Sequence, residues 1–124
     1  MKAGPRWLAA LSIGVVWACA GGEAKETARA ATGGDPDRGG AAIRRYGCGA
    51  CHVIPGVRAA RGSVGPPLDG FASRVYLAGK FPNQPDHLLS WLRDPPAMAP
   101  QTAMPALVEE QSARDIAAYL YTLE

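Results

Sequence analysis

Apolar side chains recur at helical spacing in three stretches of this 124-residue chain. In the last of them, about Glu110 to Leu123, Ala113, Ile116, Tyr119, Leu120 and Leu123 form one stripe, the pattern of a helix with a single buried face. A shorter stretch, about Pro85 to Arg93, presents Leu88, Trp91 and Leu92. The first begins at Asp35-Pro36, an N-cap residue followed by proline at the first helical position. It runs to about Tyr46, with Gly39, Ile43 and Tyr46 on one face. Gly39 and Gly40 each cost about 1 kcal/mol relative to alanine inside a helix, so their place there predicts a close approach by another element, for which the last helix is the candidate. No segment alternates as a strand would; valine and isoleucine occur only in short stretches between helices. The expected class is all-α.

The N-terminus follows another pattern. Lys2 and Arg6 precede a largely apolar run of 12 residues, Trp7 to Ala18, too short for the ~20 residues that span a bilayer. This reads as an export signal over residues 1–18. Val16-Trp17-Ala18-Cys19 resembles a bacterial lipobox, which predicts lipid attachment at Cys19, although Trp17 is bulky for that motif. Ala18-Cys19-Ala20 also fits ordinary small-x-small cleavage, and an uncleaved helical anchor is the third reading. All three place the chain outside the cytoplasm, on the periplasmic side of a bacterial membrane. Residues 19–34, small, polar and without period, predict a flexible tether. The folded domain is expected over 35–124.

With 15 Gly and 11 Pro, so small a domain has a limited core of its own. A large apolar group held within it would supply what is missing. Removing the signal takes two of the basic residues with it and leaves side-chain charge near zero. The distribution is uneven: seven basic side chains against Asp69 alone between Arg38 and Lys80, then Arg93 and Arg114 against six acids from Phe81 onward. Export and neutral charge together oppose a nucleic-acid role.

The candidate chemistry sits in Cys48-Gly49-Ala50-Cys51-His52. C-x-x-C-H is the attachment signature of c-type haem: each thiol adds to one vinyl group, and the adjacent histidine is held beneath the iron. The same pair of thiols could hold zinc or exchange disulfides. Zinc would need His52 and His87 as the remaining ligands, with His52 at an unusual spacing. A thioredoxin-like site wants strands alternating with helices around it, and the pattern shows none.

A haem with both axial positions filled needs a ligand opposite His52, and Met98, Met104 and His87 are the candidates. Thr102-Ala103-Met104-Pro105 lies between two predicted helices, and Pro105 biases Met104 towards extended backbone. That suits a loop crossing a porphyrin face and favours Met104. Met98, in Pro95-Pro96-Ala97-Met98-Ala99-Pro100, lies nearer the preceding helix; His87, early in its helix, reads as a surface residue. A thioether ligand stabilises ferrous iron and raises the potential.

From Asp35 to Leu123 the chain resembles the class I c-type cytochromes, in particular small bacterial monohaem domains beside or fused to subunits of haem–copper terminal oxidases. The resemblance rests on Tyr46-Gly47-Cys48-Gly49-Ala50-Cys51-His52, Val64-Gly65-Pro66-Pro67-Leu68-Asp69-Gly70, Trp91-Leu92-Arg93-Asp94-Pro95, Thr102-Ala103-Met104-Pro105 and Ala113 to Tyr121, in that order. It implies one covalent haem c on Cys48 and Cys51, with His52 and Met104 as axial ligands. It also implies that the Pro66 carbonyl accepts the second ring N–H of His52, that Leu68 packs on the haem, and that Trp91, with Arg74 or Tyr76, reaches the propionates. The first and last helices would cross through Gly39 or Gly40 against Tyr119. One departure is Glu109 or Glu110 where related chains carry a capping Ser or Thr.

The resulting expectation is a monomeric electron carrier, not an enzyme, since no open iron position remains. Arg45, Arg58 and Arg61 flank the motif and would form a basic rim that steers docking. By resemblance, the partners are a membrane terminal oxidase as acceptor and a bc-type complex or another exported cytochrome as donor. Two alternatives are a gas sensor or weak peroxidase with a labile Met104, and a fixed structural subunit of an oxidase.

Overall fold

A computed structural model of the chain describes residues 20–124. The expected export signal and Cys19 lie outside the described residues. Among those described there are five α-helices and one two-stranded hairpin. They are α1 (Ala20–Thr32), α2 (Pro36–Arg45), β1 (Tyr76–Leu77), β2 (Phe81–Pro82), α3 (Pro85–Arg93), α4 (Pro95–Met98) and α5 (Glu110–Leu120). The fold is all-α, as the apolar pattern predicts, and no helix among the described residues is long and apolar enough to cross a membrane.

The central packing is α2 against α5. Asp35 caps α2 by accepting from the N–H groups of Asp37 (2.8 Å) and Arg38 (3.2 Å), and Pro36 fills the first helical position. At Gly39 the two helices touch backbone to backbone: a Cβ there would collide with the Asp115 carbonyl and lie 2.9 Å from Cβ of Tyr119. At Gly40 the neighbour is the Tyr119 ring, 3.2 Å from where a Cβ would stand. The helical cost of two glycines is thus the condition for the close crossing. Around it Ile43, Leu88 and Ile116 are almost wholly buried, and α3 lays Leu88 and Leu92 against α5.

A polar junction locks the same crossing. The Asp115 side chain, 7% exposed, accepts from the Asp35 N–H (2.8 Å), from Arg38 Nε and Nη2 (3.0 Å each) and from Gln111 Nε2 (3.2 Å). Burial alone would raise its pKa; the Arg38 and Asp35 hydrogen bonds outweigh that and hold it below the usual carboxylate value.

Three expectations change. Residues 20–32 are not a flexible tether but a helix, α1, lying against α5 and touching α2 and α3. Among residues 21–32 it buries only Ala28 and Thr32 on the domain, too sparse a pattern to show as helical periodicity. The short hairpin was not visible because two-residue strands have no alternation to detect. The last helix closes at Leu120, with Tyr121 as C-cap, so Leu123 sits beyond it and its carbonyl accepts from Ala72 N–H at 2.8 Å. Tyr121, pushed up to about 12 by burial, donates to Asn83 Oδ1 (3.1 Å), and Asn83 donates on to the carbonyls of Phe71 (2.9 Å) and Arg74 (3.1 Å). That ties the chain's end to the loop that carries Pro66 and Leu68.

The Asp115 junction makes a pH prediction. A carboxyl whose folded pKa is depressed contributes fully above its unfolded value of about 3.9 and loses that contribution as pH falls through the folded value. Asp115→Asn is expected to lower stability at pH 7 and to flatten the decline below pH 4, read by urea unfolding at both pH values. Parallel stability curves for the two proteins would remove the junction from the acid response.

Candidate haem site

The C-x-x-C-H segment begins where α2 ends. Beyond the α2 C-cap at Tyr46, Cys48–Ala50 forms one 3₁₀ turn, and the N–H groups of Cys51 (3.2 Å) and His52 (3.0 Å) both reach back to the Cys48 carbonyl. This tight turn places both thiols and the imidazole within one short coil. Cys48 and Cys51 are free and half-buried, and burial pushes the Cys48 thiol up.

Two returning segments brace the coil. The first is the stretch from Val53 to Ser63. Gly62 N–H donates to the Gly49 carbonyl at 3.0 Å, Val53 and Arg61 form an antiparallel bridge, and buried Ala60 lies against Gly49. The second is Gly65 to Leu68, with Gly65 N–H on the Cys51 carbonyl and Leu68 N–H on the Val53 carbonyl, both at 2.8 Å.

The second segment sets the histidine. His52 Nδ1 lies 2.7 Å from the Pro66 carbonyl. A carbonyl only accepts, so Nδ1 carries a proton, and in the neutral ring the lone pair then lies on Nε2, the arrangement a metal-ligating histidine needs. The ring lies flat against Gly65, where a Cβ would overlap Cε1 and stand 2.7 Å from Nδ1 and 2.8 Å from Nε2. Glycine is required here by the imidazole, not by backbone conformation. Free thiols, a lone-pair nitrogen and a cradle that any side chain would fill fit a covalently attached haem.

The other expected residues fall as follows. Leu68, Trp91 and Met104 are half-buried and pack against the hydrophobic core together with Cys48. Met104 N–H donates to Thr102 Oγ1 at 3.2 Å, a local turn that the sequence reading did not single out. Met98 ends α4 and lines a cleft of about 490 Å³ with Arg93, Asp94 and Val108. His87 Nδ1 bonds the Pro82 carbonyl (2.9 Å) beside the Phe81 ring. Trp91 packs tilted on Phe81, with ring centroids 6.3 Å apart. Arg74 commits its guanidinium to the carbonyls of Pro67 and Asp69 (2.9 Å to the latter) and lies over the Phe71 ring, so it clamps its own loop. Tyr76 is exposed on β1.

The basic rim divides. All three arginines are exposed: Arg58 and Arg61 on the segment that covers the motif, and Arg45 at the end of α2, where it donates to Ser112 Oγ (2.9 Å) on α5 and stacks over Tyr46. Among the described residues no three His, Cys, Asp or Glu side chains converge as metal ligands, so the four-ligand zinc reading has no site. A helical domain with one short hairpin likewise gives no thioredoxin-like frame.

Comparison with known proteins agrees with this geometry. The family model described as Cytochrome c matches residues 36–124. A curated relative, cytochrome c oxidase subunit 2 of Alkalihalophilus pseudofirmus, is 32% identical over 79 residues, which cover 62% of this chain and 22% of that protein. The aligned stretch is thus about a fifth of that relative's length. No solved structure matches. The matched family, with Cys48 and Cys51 at its attachment positions, accounts for the braced coil: the chain belongs to the cytochrome c family and is a haem electron-transfer protein with one covalent haem c.

Proposed function

We propose that this protein is a one-electron carrier with His52 and Met104 as axial ligands, delivering electrons to a membrane terminal oxidase. The observation that carries the reading is the His52–Pro66 bond, which leaves Nε2 free as a ligand beside two half-buried thiols. When bound, the haem supplies a ferric/ferrous couple, and thioether ligation moves its potential upward. The protein supplies orientation and exclusion. Pro66 fixes the His52 tautomer and raises its basicity as a ligand. Thr102 holds the Met104 N–H, and Pro105 keeps the backbone extended. Leu68, Trp91 and Met104 contribute apolar cover. With His52 and Met104 both given to the iron, no position there would be left open to a substrate, which supports a carrier over an enzyme.

The oxidase as acceptor is supported by the oxidase subunit among the chain's relatives. Exposed Arg58 and Arg61 on the segment over the motif provide a basic rim for an acidic partner, and Arg45, also exposed, adds its charge from the end of α2 while held by Ser112. Export is supported by the basic and apolar residues of positions 1–18, and membrane attachment by Val16-Trp17-Ala18-Cys19.

Three outcomes test these points. The haem-loaded protein is expected to show a methionine–iron charge-transfer band when oxidised and no response to carbon monoxide when reduced. Met104→Ala should lose the band, bind carbon monoxide and fall in potential, whereas Met98→Ala should change none of these; carbon monoxide binding by the parent protein would point to a sensor or peroxidase. Arg58→Glu with Arg61→Glu should slow reduction of an acidic partner about tenfold or more at low ionic strength, with the difference fading at high salt. Unchanged kinetics would remove the rim. Labelled palmitate should enter the parent chain and not Cys19→Ala; label in neither would leave ordinary signal cleavage or an uncleaved anchor.

A further inference from the structure

The family match begins at residue 36, and α1 precedes it. α1 also has little intrinsic reason to be helical. Thirteen residues, with Gly21 and Gly22 in the first turn, make a marginal helix in water. What sustains it is docking.

Three sets of contacts hold it. Ala28 and Thr32, each 2% exposed, face the domain. Thr32 Oγ1 donates to the Ala28 carbonyl (2.8 Å) and accepts from Gly34 N–H (3.1 Å), while the Thr32 carbonyl accepts from Arg114 Nη1 on α5 (3.2 Å). Lys25 Nζ meets Asp37 Oδ1 at 2.7 Å, and Arg29 Nη2 lies 3.4 Å from Asp35 Oδ2 and 3.7 Å from Asp37 Oδ2. The buried Gly34 backbone then passes so close to the Arg114 carbonyl that no Cβ fits between them. Asp35, which receives Arg29, also caps α2 and gives its N–H to Asp115. α1 is therefore fastened to the junction at which α2 and α5 meet.

We propose that α1 is a rigid mount: it fixes the point and direction at which the chain leaves the haem domain, so that the domain stands in one attitude to whatever precedes residue 20. At 1.5 Å per residue the arm is about 20 Å long. Its apolar contact is small and its charged contact large, and exposed charge pairs weaken as salt rises. The mount is thus set to release in strong salt, when the domain would swing on the same residues as a loose arm. If Cys19 carries lipid, the arm starts at the residue after the anchor and becomes a standoff from the membrane surface. The docking itself depends neither on the lipid nor on the axial ligands.

The test is amide hydrogen exchange, read by mass spectrometry on the full haem-loaded protein. At low salt the amides of residues 24–33 are expected to exchange at least tenfold more slowly than in an unstructured chain. They should speed up in 1 M NaCl while the α5 amides do not. Lys25→Glu with Arg29→Glu should raise exchange over 24–33 by about tenfold and leave α5 and the haem spectrum unchanged. Lys25→Glu alone should loosen α1 less than the pair, and adding Asp37→Lys to it should recover part of the protection. Unstructured exchange rates over 24–33 in the parent protein at low salt would make the segment a tether and overturn the proposal. So would a charge-reversed pair that exchanges like the parent.

Discussion

Everything in this domain leans on the contact between Gly39 and the Asp115 carbonyl. It lets α2 and α5 approach backbone to backbone, and the Asp115 carboxylate beside it gathers the Asp35 N–H and the Arg38 guanidinium into the same junction. The haem-attachment coil is the direct continuation of α2, and α5 carries Tyr119, whose hydroxyl reaches the Pro55 carbonyl (2.6 Å) in the segment over that coil. The position of the attachment coil is therefore set from both sides by the crossing. Propensity opposes glycine in a helix, but geometry demands it here, and geometry wins because the alternative is a collision between main chains.

Around the haem-attachment coil the protein works mainly through its backbone. Gly62, Gly65 and Leu68 hold the coil with N–H groups, Pro66 orients His52 with a carbonyl, and Arg74 clamps two further carbonyls of the same loop. A site braced this way needs few specific side chains beyond the thiols, the imidazole and the glycine beneath it. Such bracing also explains how a small domain rich in glycine and proline keeps its loops ordered: their polar groups are paired with one another, as buried backbone requires.

The features legible in the sequence were those written locally. Asp35-Pro36, the stripe from Ala113 to Leu120 and the spacing of C-x-x-C-H are each read within a few residues, and the misplaced Gly39 and Gly40 announced a crossing without showing its partner atom. The unreadable features depend on residues far apart. α1 looked like a tether because its docking lies in pairings such as Arg29 with Asp35 and Arg114 with Thr32, while its own face buries almost nothing apolar. Arg74 and Arg45 are cations in a sequence; only the fold shows one turned onto its own loop and the other onto Ser112.

The crossing also joins the two ends of the domain. Arg38 and Asp115 are 77 residues apart, so the junction closes a long loop through the domain, at an entropic cost that grows only slowly with its length. The turn bearing Cys48 and Cys51 is closed by contrast through local bonds to the Cys48 carbonyl, and is then held from outside by Gly62 and Gly65. In the folded domain both thiols are half-buried, and burial raises the pKa of the Cys48 thiol. The two ends of the domain thus act as one clasp: a break at Gly39, Asp35 or Asp115 loosens the attachment coil from the α2 side and from the Tyr119 side together.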